Sequence, residues 1–541
     1  MRRASRKLFL ILAAVALAVP LMGAPATADP TPRVPPGFTI TPFAVIDGTP
    51  SSIAYAPATD YLGTPRFYVA DYAGSRILAI EDLGGVGGPP TVFADGDDGV
   101  GSPLGVTVGP DGTVYVADST ASTVPGRSTS GRVWKMTDTN DDAVADEIEV
   151  LVTELPNGRH NTNGMAIGPD GLLYIANGNS TDDGIEGGQP EVDPWSGSVV
   201  KVDPNDGPVS FATADPATSL VANGMRNVYD LAFSPFDDSK LFVPMNGADD
   251  ARDETTSAND PAGLELADSD DLLYQTDIDD TRPVVGDNGE ITFEPIIDDF
   301  GFPECLYNES KQGNLEPFQN PHPQMETVCP IDTVPRPVAS LGLHVSADGL
   351  AFQTTDAWGA DFKNDLFIAE WGNLFGTEIV GHEVVRVELD ETGNTVVRQS
   401  EFVSGIVPLD VTFDDAGALY VADFAGSIYR VAKIADVPSP VNIAIDQFQF
   451  RPPAIAIPEG TTIRWSNVDS LGFPHEITAQ AFVGTDGSTG TGSEIDSDTL
   501  GVGGTHEFRF DTPGKYIYTC AVSIQHQALM HGEITVLPTG S

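Results

Sequence analysis

Gly109-Pro-Asp-Gly-Thr-Val-Tyr-Val-Ala-Asp118 reads as a tight turn followed by an apolar strand, and the phrase recurs along most of this 541-residue chain. Phe67-Tyr-Val-Ala-Asp71 leads to Arg76-Ile-Leu-Ala-Ile80, and Val114-Tyr-Val-Ala-Asp118 leads to Gly131-Arg-Val-Trp-Lys135. Leu173-Tyr-Ile-Ala-Asn177, Leu366-Phe-Ile-Ala-Glu370 and Leu419-Tyr-Val-Ala-Asp423 repeat the pattern, and Leu241-Phe-Val-Pro-Met245 is a degenerate copy. Gly168-Pro-Asp-Gly171 and Asp414-Asp-Ala-Gly417 supply the preceding turn elsewhere, where a glycine accepts the positive φ that a tight hairpin needs. A hairpin cannot bury both of its faces alone, so the copies must stack. Six copies over some four hundred residues predict an all-β fold beginning with a six-bladed β-propeller over 29–435. Helical periodicity is absent. The stretch from 250 to 340 is polar and rich in proline, and it reads as an insertion or lid.

Past the short Asp436-Val-Pro-Ser-Pro440 linker, residues 441–541 carry a different pattern. Gly514-Lys-Tyr-Ile-Tyr-Thr-Cys520 is a strand ending in cysteine, and Gly532-Glu-Ile-Thr-Val536 is the next strand. Cys520, His526 and Met530 therefore share one loop, and His475 follows the upstream strand Thr462-Ile-Arg-Trp-Ser-Asn467. Two imidazoles, a thiolate and a weak thioether are the ligand set of a mononuclear type 1 copper, which exchanges single electrons. His531, beside Met530, is a second candidate for the axial position. The stretch resembles the cupredoxins, which implies a Greek-key β-sandwich holding one copper through His475, Cys520, His526 and Met530.

Arg2, Arg3, Arg6 and Lys7 precede an apolar run from Leu8 to Leu21, and Ala26-Thr-Ala28 ends it with small residues. That is the pattern of an export signal over residues 1–28, so the mature protein is expected outside the cytoplasm with no integral membrane span. The formal net charge of −52 repels a phosphate backbone and excludes nucleic acid as a partner. Three cysteines leave one over after pairing. Cys305 and Cys329 are read as a disulfide across the proline-rich stretch, and Cys520 stays unpaired for copper. No Cys-x-x-Cys-His is present for haem attachment, and no His-x-His pair for a multicopper oxidase.

His160, in Asn157-Gly-Arg-His-Asn-Thr-Asn163, precedes one core strand. Arg226-Asn227 precedes Leu-Ala-Phe233 at the same point of the next repeat, and His344 precedes another. With Gly301-Phe-Pro-Glu-Cys305 and the Asp365-Leu-Phe-Ile-Ala369 strand, these features resemble the glucose/sorbosone dehydrogenase family, six-bladed propellers that use pyrroloquinoline quinone. The resemblance implies that His160 is the base taking a substrate hydroxyl proton, and that Arg226 and Asn227 hold the quinone oxygens. It implies a small-molecule substrate, a sugar or related alcohol or aldehyde, whose electrons leave through the copper to an external redox partner. That family also grips the cofactor's carboxylates with lysine and arginine from its last blades. Here those stretches read Glu370-Trp-Gly-Asn373 and Gly405-Ile-Val-Pro-Leu-Asp410 and carry neither. Two other readings therefore stay open: an electron-transfer protein whose propeller is a docking module, and a calcium-dependent lactonase-type hydrolase. Asp138, Asn140, Asp142 and Asp146 have the alternating oxygens of a calcium loop, or of an acidic hairpin turn.

Overall fold

The computed structural model is 54% strand and 2% helix, an all-β chain. It describes residues 32–537 except 59–62, 125–128, 182–184, 187–188, 191–192, 249–268, 286–290, 310–314, 320–328, 330–333, 374–378, 435–439, 447, 486–487, 493–494, 524–525 and 527–529. The expected export signal and nearly all of the linker lie outside the described residues.

Six sheets stand in a ring, antiparallel except for one short parallel edge strand on each of blades 2 and 3. Each repeated phrase is the second strand of one blade: Arg66–Asp71, Val114–Ala121, Leu173–Asn177, Lys240–Asn246, Leu366–Glu370 and Leu419–Asp423. The repeated phrases in these strands are buried on both faces, which is why they read as continuous apolar runs rather than as alternation. The innermost strands of blades 1, 2, 3, 5 and 6 are Pro50–Ala56, Gly105–Val108, Thr162–Ile167, Ala347–Phe352 and Pro408–Phe413. In blade 4 the innermost strand is split into Asn227–Val228 and Ala232–Phe233. Each innermost strand packs against the next, and Pro408–Phe413 returns to Pro50–Ala56.

The ring is clasped by its earliest strand. Phe38–Val45 pairs antiparallel with Ser427–Lys433 and forms the outer edge of blade 6. Blade 4 corrects the reading of 250–340 as wholly insertion, because Asp270–Asp277 is its third strand and Ala339–Leu343 its fourth. Between them lie two hairpins, Thr281–Val285 with Ile291–Pro295 and Cys305–Glu309 with Leu315–Gln319. The Cys305–Cys329 disulfide ties this region to itself, as read from the sequence.

The axis of the ring is filled. Tyr229 of blade 4 donates its hydroxyl to the carbonyl of Ser51 in blade 1, on the opposite side, at 3.1 Å. Around it, carboxylates latch neighbouring blades. Asp410 accepts from the Ser52 hydroxyl at 2.7 Å and the Ile53 N–H at 2.8 Å, and Asp230 accepts from the Leu350 N–H at 3.2 Å. Glycines make room for them. A Cβ on Gly164 would stand 2.0 Å from Asp230 Oδ1, and one on Gly349 would stand 2.1 Å from Asp410 Oδ1.

The C-terminal region is a two-sheet sandwich. One sheet orders Gln449–Arg451, Val441–Asp446, Thr461–Asn467 and Thr505–Phe510. The other orders Ala454–Pro458, His531–Leu537, Gly514–Cys520, Ile477–Gly484 and Thr489–Gly490. Trp465, Tyr518, Ile443 and Ile534 fill the space between them. The sandwich packs on the clasp strand Phe38–Val45 through Val441–Asp446 and Ala454–Pro458. This explains why the outermost strand of a blade is buried along nearly its whole length.

Candidate metal centre and propeller mouth

Asn467 ends one strand and opens the loop that carries His475. Its side-chain amide donates to Phe473 O at 3.0 Å and Leu500 O at 2.8 Å, which pins that loop to a neighbouring one. Gly514–Cys520 ends with the thiol inside the sandwich. There, His475 Nδ1 and His526 Nδ1 each stand 3.5 Å from Cys520 Sγ. All three donor atoms lie within 4.8 Å of one another, and this is the one such histidine, cysteine and carboxylate cluster among the described residues. His475, Cys520, His526 and Met530 are all buried, and Met530 belongs to the same core cluster as Cys520. Its N–H donates to His526 O at 2.8 Å. His531 is exposed at the start of the next strand, so the buried neighbour of the cluster is Met530.

Burial by itself would push the Cys520 thiol up, but the contact with His475 and hydrogen bonds from the Glu476 and Val522 N–H groups outweigh it and hold the thiol below its usual range. Burial depresses His526 and the neighbouring His475 depresses it further, which keeps a bare ring nitrogen available. A soft thiolate with two neutral imidazoles fits copper in both oxidation states. Phe448 packs its ring edge-on to His526 at 4.8 Å, with Phe473 beside it. His526 is thereby screened from solvent.

Residues 439–537 match the family of copper binding proteins that includes plastocyanin and azurin. They are a cupredoxin. Residues 127–230 match a domain family of unknown function. The propeller fold is shared with a Trichoderma reesei carbohydrate-active enzyme of family AA12, at 17% identity and a TM-score of 0.55, over 75% of this chain and 97% of that one. It is shared equally with the pyrroloquinoline quinone domain of Coprinopsis cinerea pyranose dehydrogenase, at 15% identity and a TM-score of 0.55, over 74% and 97% of the two chains. An uncharacterized protein of Borreliella burgdorferi is 29% identical over 143 residues, which is 24% of this chain and 35% of that protein's length. The chain thus joins a propeller of the fold shared with those enzymes to a copper-binding cupredoxin domain.

At one end of the propeller, the starts of the inner strands meet the ends of the second strands. The aspartates that end the repeated phrase are structural there. Asp71 accepts the Thr49 and Gly74 N–H groups and the Arg76 guanidinium, and Asp118 does the same for Gly101 and Arg132. His160 and Asn227 are brought together: a Cβ on Gly178 would lie 2.5 Å from His160 Cβ and 2.8 Å from Asn227 Oδ1. His160 Nδ1 is 2.9 Å from Asn179 O. Asn227 Oδ1 accepts from Asn163 at 3.2 Å, and its amide donates to Asn246 at 2.5 Å. Arg226 is not presented to this mouth as an open clamp; it is buried, and Nη1 donates to Gly247 O at 2.6 Å.

Next to this amide chain stand Asp271, Asp348 and Glu370, all buried. Glu370 ends the blade 5 phrase, yet its Oε1 has no hydrogen-bond partner among the described residues. Burial, with Glu383, Asp271 and Asp348 nearby, pushes its carboxyl up to about 9. Burial and Asp271 likewise hold Asp348 well above the usual range. Pyrroloquinoline quinone carries three carboxylates, and this mouth does not fit it: acidic side chains stand where cations would be needed, and Arg226 is already engaged with a carbonyl. Glu370, with its carboxyl pushed up to about 9, and the amides of Asn227 and Asn246 suit a neutral ligand rich in hydroxyls.

The residues of the candidate calcium loop are bonded among themselves and to Arg66. Asp138 turns inward, where Oδ1 takes the N–H groups of Asn140, Asp141 and Asp142 and Oδ2 takes those of Ala143 and Arg66. Asp146 bonds the Thr139 N–H and hydroxyl instead. The sequence reading also passed over Asp230, Asp348 and Asp410. The signal for Asp230 and Asp410 was present as Gly or Asp at one fixed position of successive inner strands, at Gly164, Asp230, Gly349 and Asp410.

Proposed function

We propose that this chain is an exported copper redox protein, a one-electron carrier whose propeller binds a small polyhydroxylated molecule. The convergence of His475 Nδ1, Cys520 Sγ and His526 Nδ1 within 4.8 Å carries the reading. Bound copper supplies reversible one-electron chemistry. The protein's own part is to hold the ligands in a buried sandwich end, so that reduction and reoxidation need little rearrangement. Met530 would supply the thioether donor in this reading, and an external redox partner meets the protein near His526, which is flanked by the exposed ring of Phe473.

A second reading, a quinone-dependent dehydrogenase of sugars or related alcohols, is favoured by one observation: His160 stands against Asn227 at the propeller mouth. There His160 would accept a substrate hydroxyl proton. The misfit of the carboxylate side counts against it. One experiment separates the two. The copper-loaded protein is titrated with pyrroloquinoline quinone and calcium under argon, and sugars are then added. Bleaching of the thiolate–copper band by an outside reductant, but not by quinone with sugar, is the expected result. Bleaching that needs quinone and sugar together, and disappears in His160→Ala, would install the dehydrogenase. A protein with no such band would end both readings.

A further inference from the structure

We propose that the buried carboxylate of Asp469 is a positioning residue for the copper site: it orients His475 and lowers the reduction potential of the metal. The inference rests on the copper reading above. Asp469 and His475 side chains are both fully buried, and Oδ2 lies 3.0 Å from His475 Nε2. The other carboxylate oxygen, Oδ1, accepts the N–H groups of Leu471 at 2.9 Å and Phe473 at 3.2 Å. The carboxylate is therefore anchored and cannot swing away from the ring. With the ring proton on Nε2 and given to Asp469, the lone pair of His475 sits on Nδ1, which faces Cys520 Sγ. Groups hydrogen-bonded to the far nitrogen of a ligating imidazole fix its tautomer and raise its basicity. A more basic imidazole, backed by a negative charge out of reach of water, favours copper(II) over copper(I).

The loop has other supports. Asn467 bonds Phe473 O and Leu500 O and accepts the Asp469 N–H at 3.0 Å. Asp446 holds Ser470 through its N–H and hydroxyl and does not touch a ligand. A merely structural Asp469 would thus be replaceable by asparagine without moving the potential.

The test is a redox titration of copper-loaded wild type, Asp469→Asn and Asp446→Asn, with copper(II) affinity and the melting of each copper-free protein measured in parallel. Asparagine keeps an acceptor for Leu471 and Phe473 but presents an amide to the ring N–H. Asp469→Asn is expected to lose about tenfold in copper(II) affinity relative to copper(I), which raises the potential by about 59 mV, while its copper-free melting stays near wild type. Asp446→Asn is expected to shift far less. An unchanged potential in Asp469→Asn, or an equal rise in Asp446→Asn, overturns the proposal. Where Asp469→Asn does not fold, Asp469→Ser takes its place; loss of fold in both assigns the residue to the scaffold and overturns it too. A wild type that takes no copper would instead overturn the copper reading beneath.

Discussion

Thr39, in the clasp strand of the propeller, donates its hydroxyl to the backbone carbonyl of Ala456 in the cupredoxin at 2.6 Å. The two halves are therefore joined by a specific bond between buried strands as well as by the linker. Thr39→Val keeps the shape and removes the donor, at a cost of about 1 kcal/mol. Calorimetry should then show the unfolding of the two halves drawing apart. Coincident transitions at the wild-type temperature would mean that this bond does not couple them.

Gly349 is kept small by Asp410, whose Oδ1 occupies the space of a Cβ. Gly349→Ala should cost roughly 1–3 kcal/mol as an overpacked core site, read as a lower urea midpoint. Gly207→Ala, where a Cβ meets nothing within 4 Å, is the control and should leave the midpoint near wild type.

Burial holds the Asp410 carboxyl at about 7 against an ordinary 3.8, despite the stabilising Ile53, Ser52 and Val411 donors. Burial and the nearby Asp410 hold Asp230 high as well. Between pH 4 and 7 the unfolded chain releases the Asp410 proton while the folded one keeps it. Its contribution is thus complete near pH 4 and lost as pH rises through 7. Asp410→Asn cannot titrate, so its stability relative to wild type should increase from pH 4 to 7. Parallel urea-midpoint curves for the two copper-free proteins would refute this.

Met530→Leu should leave the thiolate–copper band in place and raise the reduction potential, because a buried thioether donor is withdrawn from copper(II). If instead the band vanished and His531→Leu alone moved the potential, the axial role would pass to His531.

Removing the Cys305–Cys329 crosslink, whose partners are 24 residues apart, should cost about 3 kcal/mol through the freed unfolded chain. Denaturant midpoints of the Cys305→Ala, Cys329→Ala double variant would show it. The copper site, with its own free cysteine, should keep its absorption.

Local apolar phrases made the second strand of every blade legible, down to the degenerate Leu241–Met245, because such strands are buried on both sides whatever their neighbours. Cys520, His526 and Met530 were legible because one loop carries all three. What sequence hid were partners far along the chain. Arg66, which bonds Asp138, lies 72 residues away from it. Phe38–Val45 gave no sign of belonging to the last blade. Asp469 reads as an ordinary turn residue, and only the folded loop puts its second oxygen on His475.

The clasp has a consequence for how the protein is made. Thr41 bonds the carbonyl of Arg430, 389 residues later, so the clasp strand must wait, unpaired, until the sixth blade has been made. The cupredoxin, which follows the sixth blade in the chain, then shuts over it. A protease reaching Phe38–Val45 before then would meet an open edge; afterwards the same cut would have to pry off a folded copper domain first.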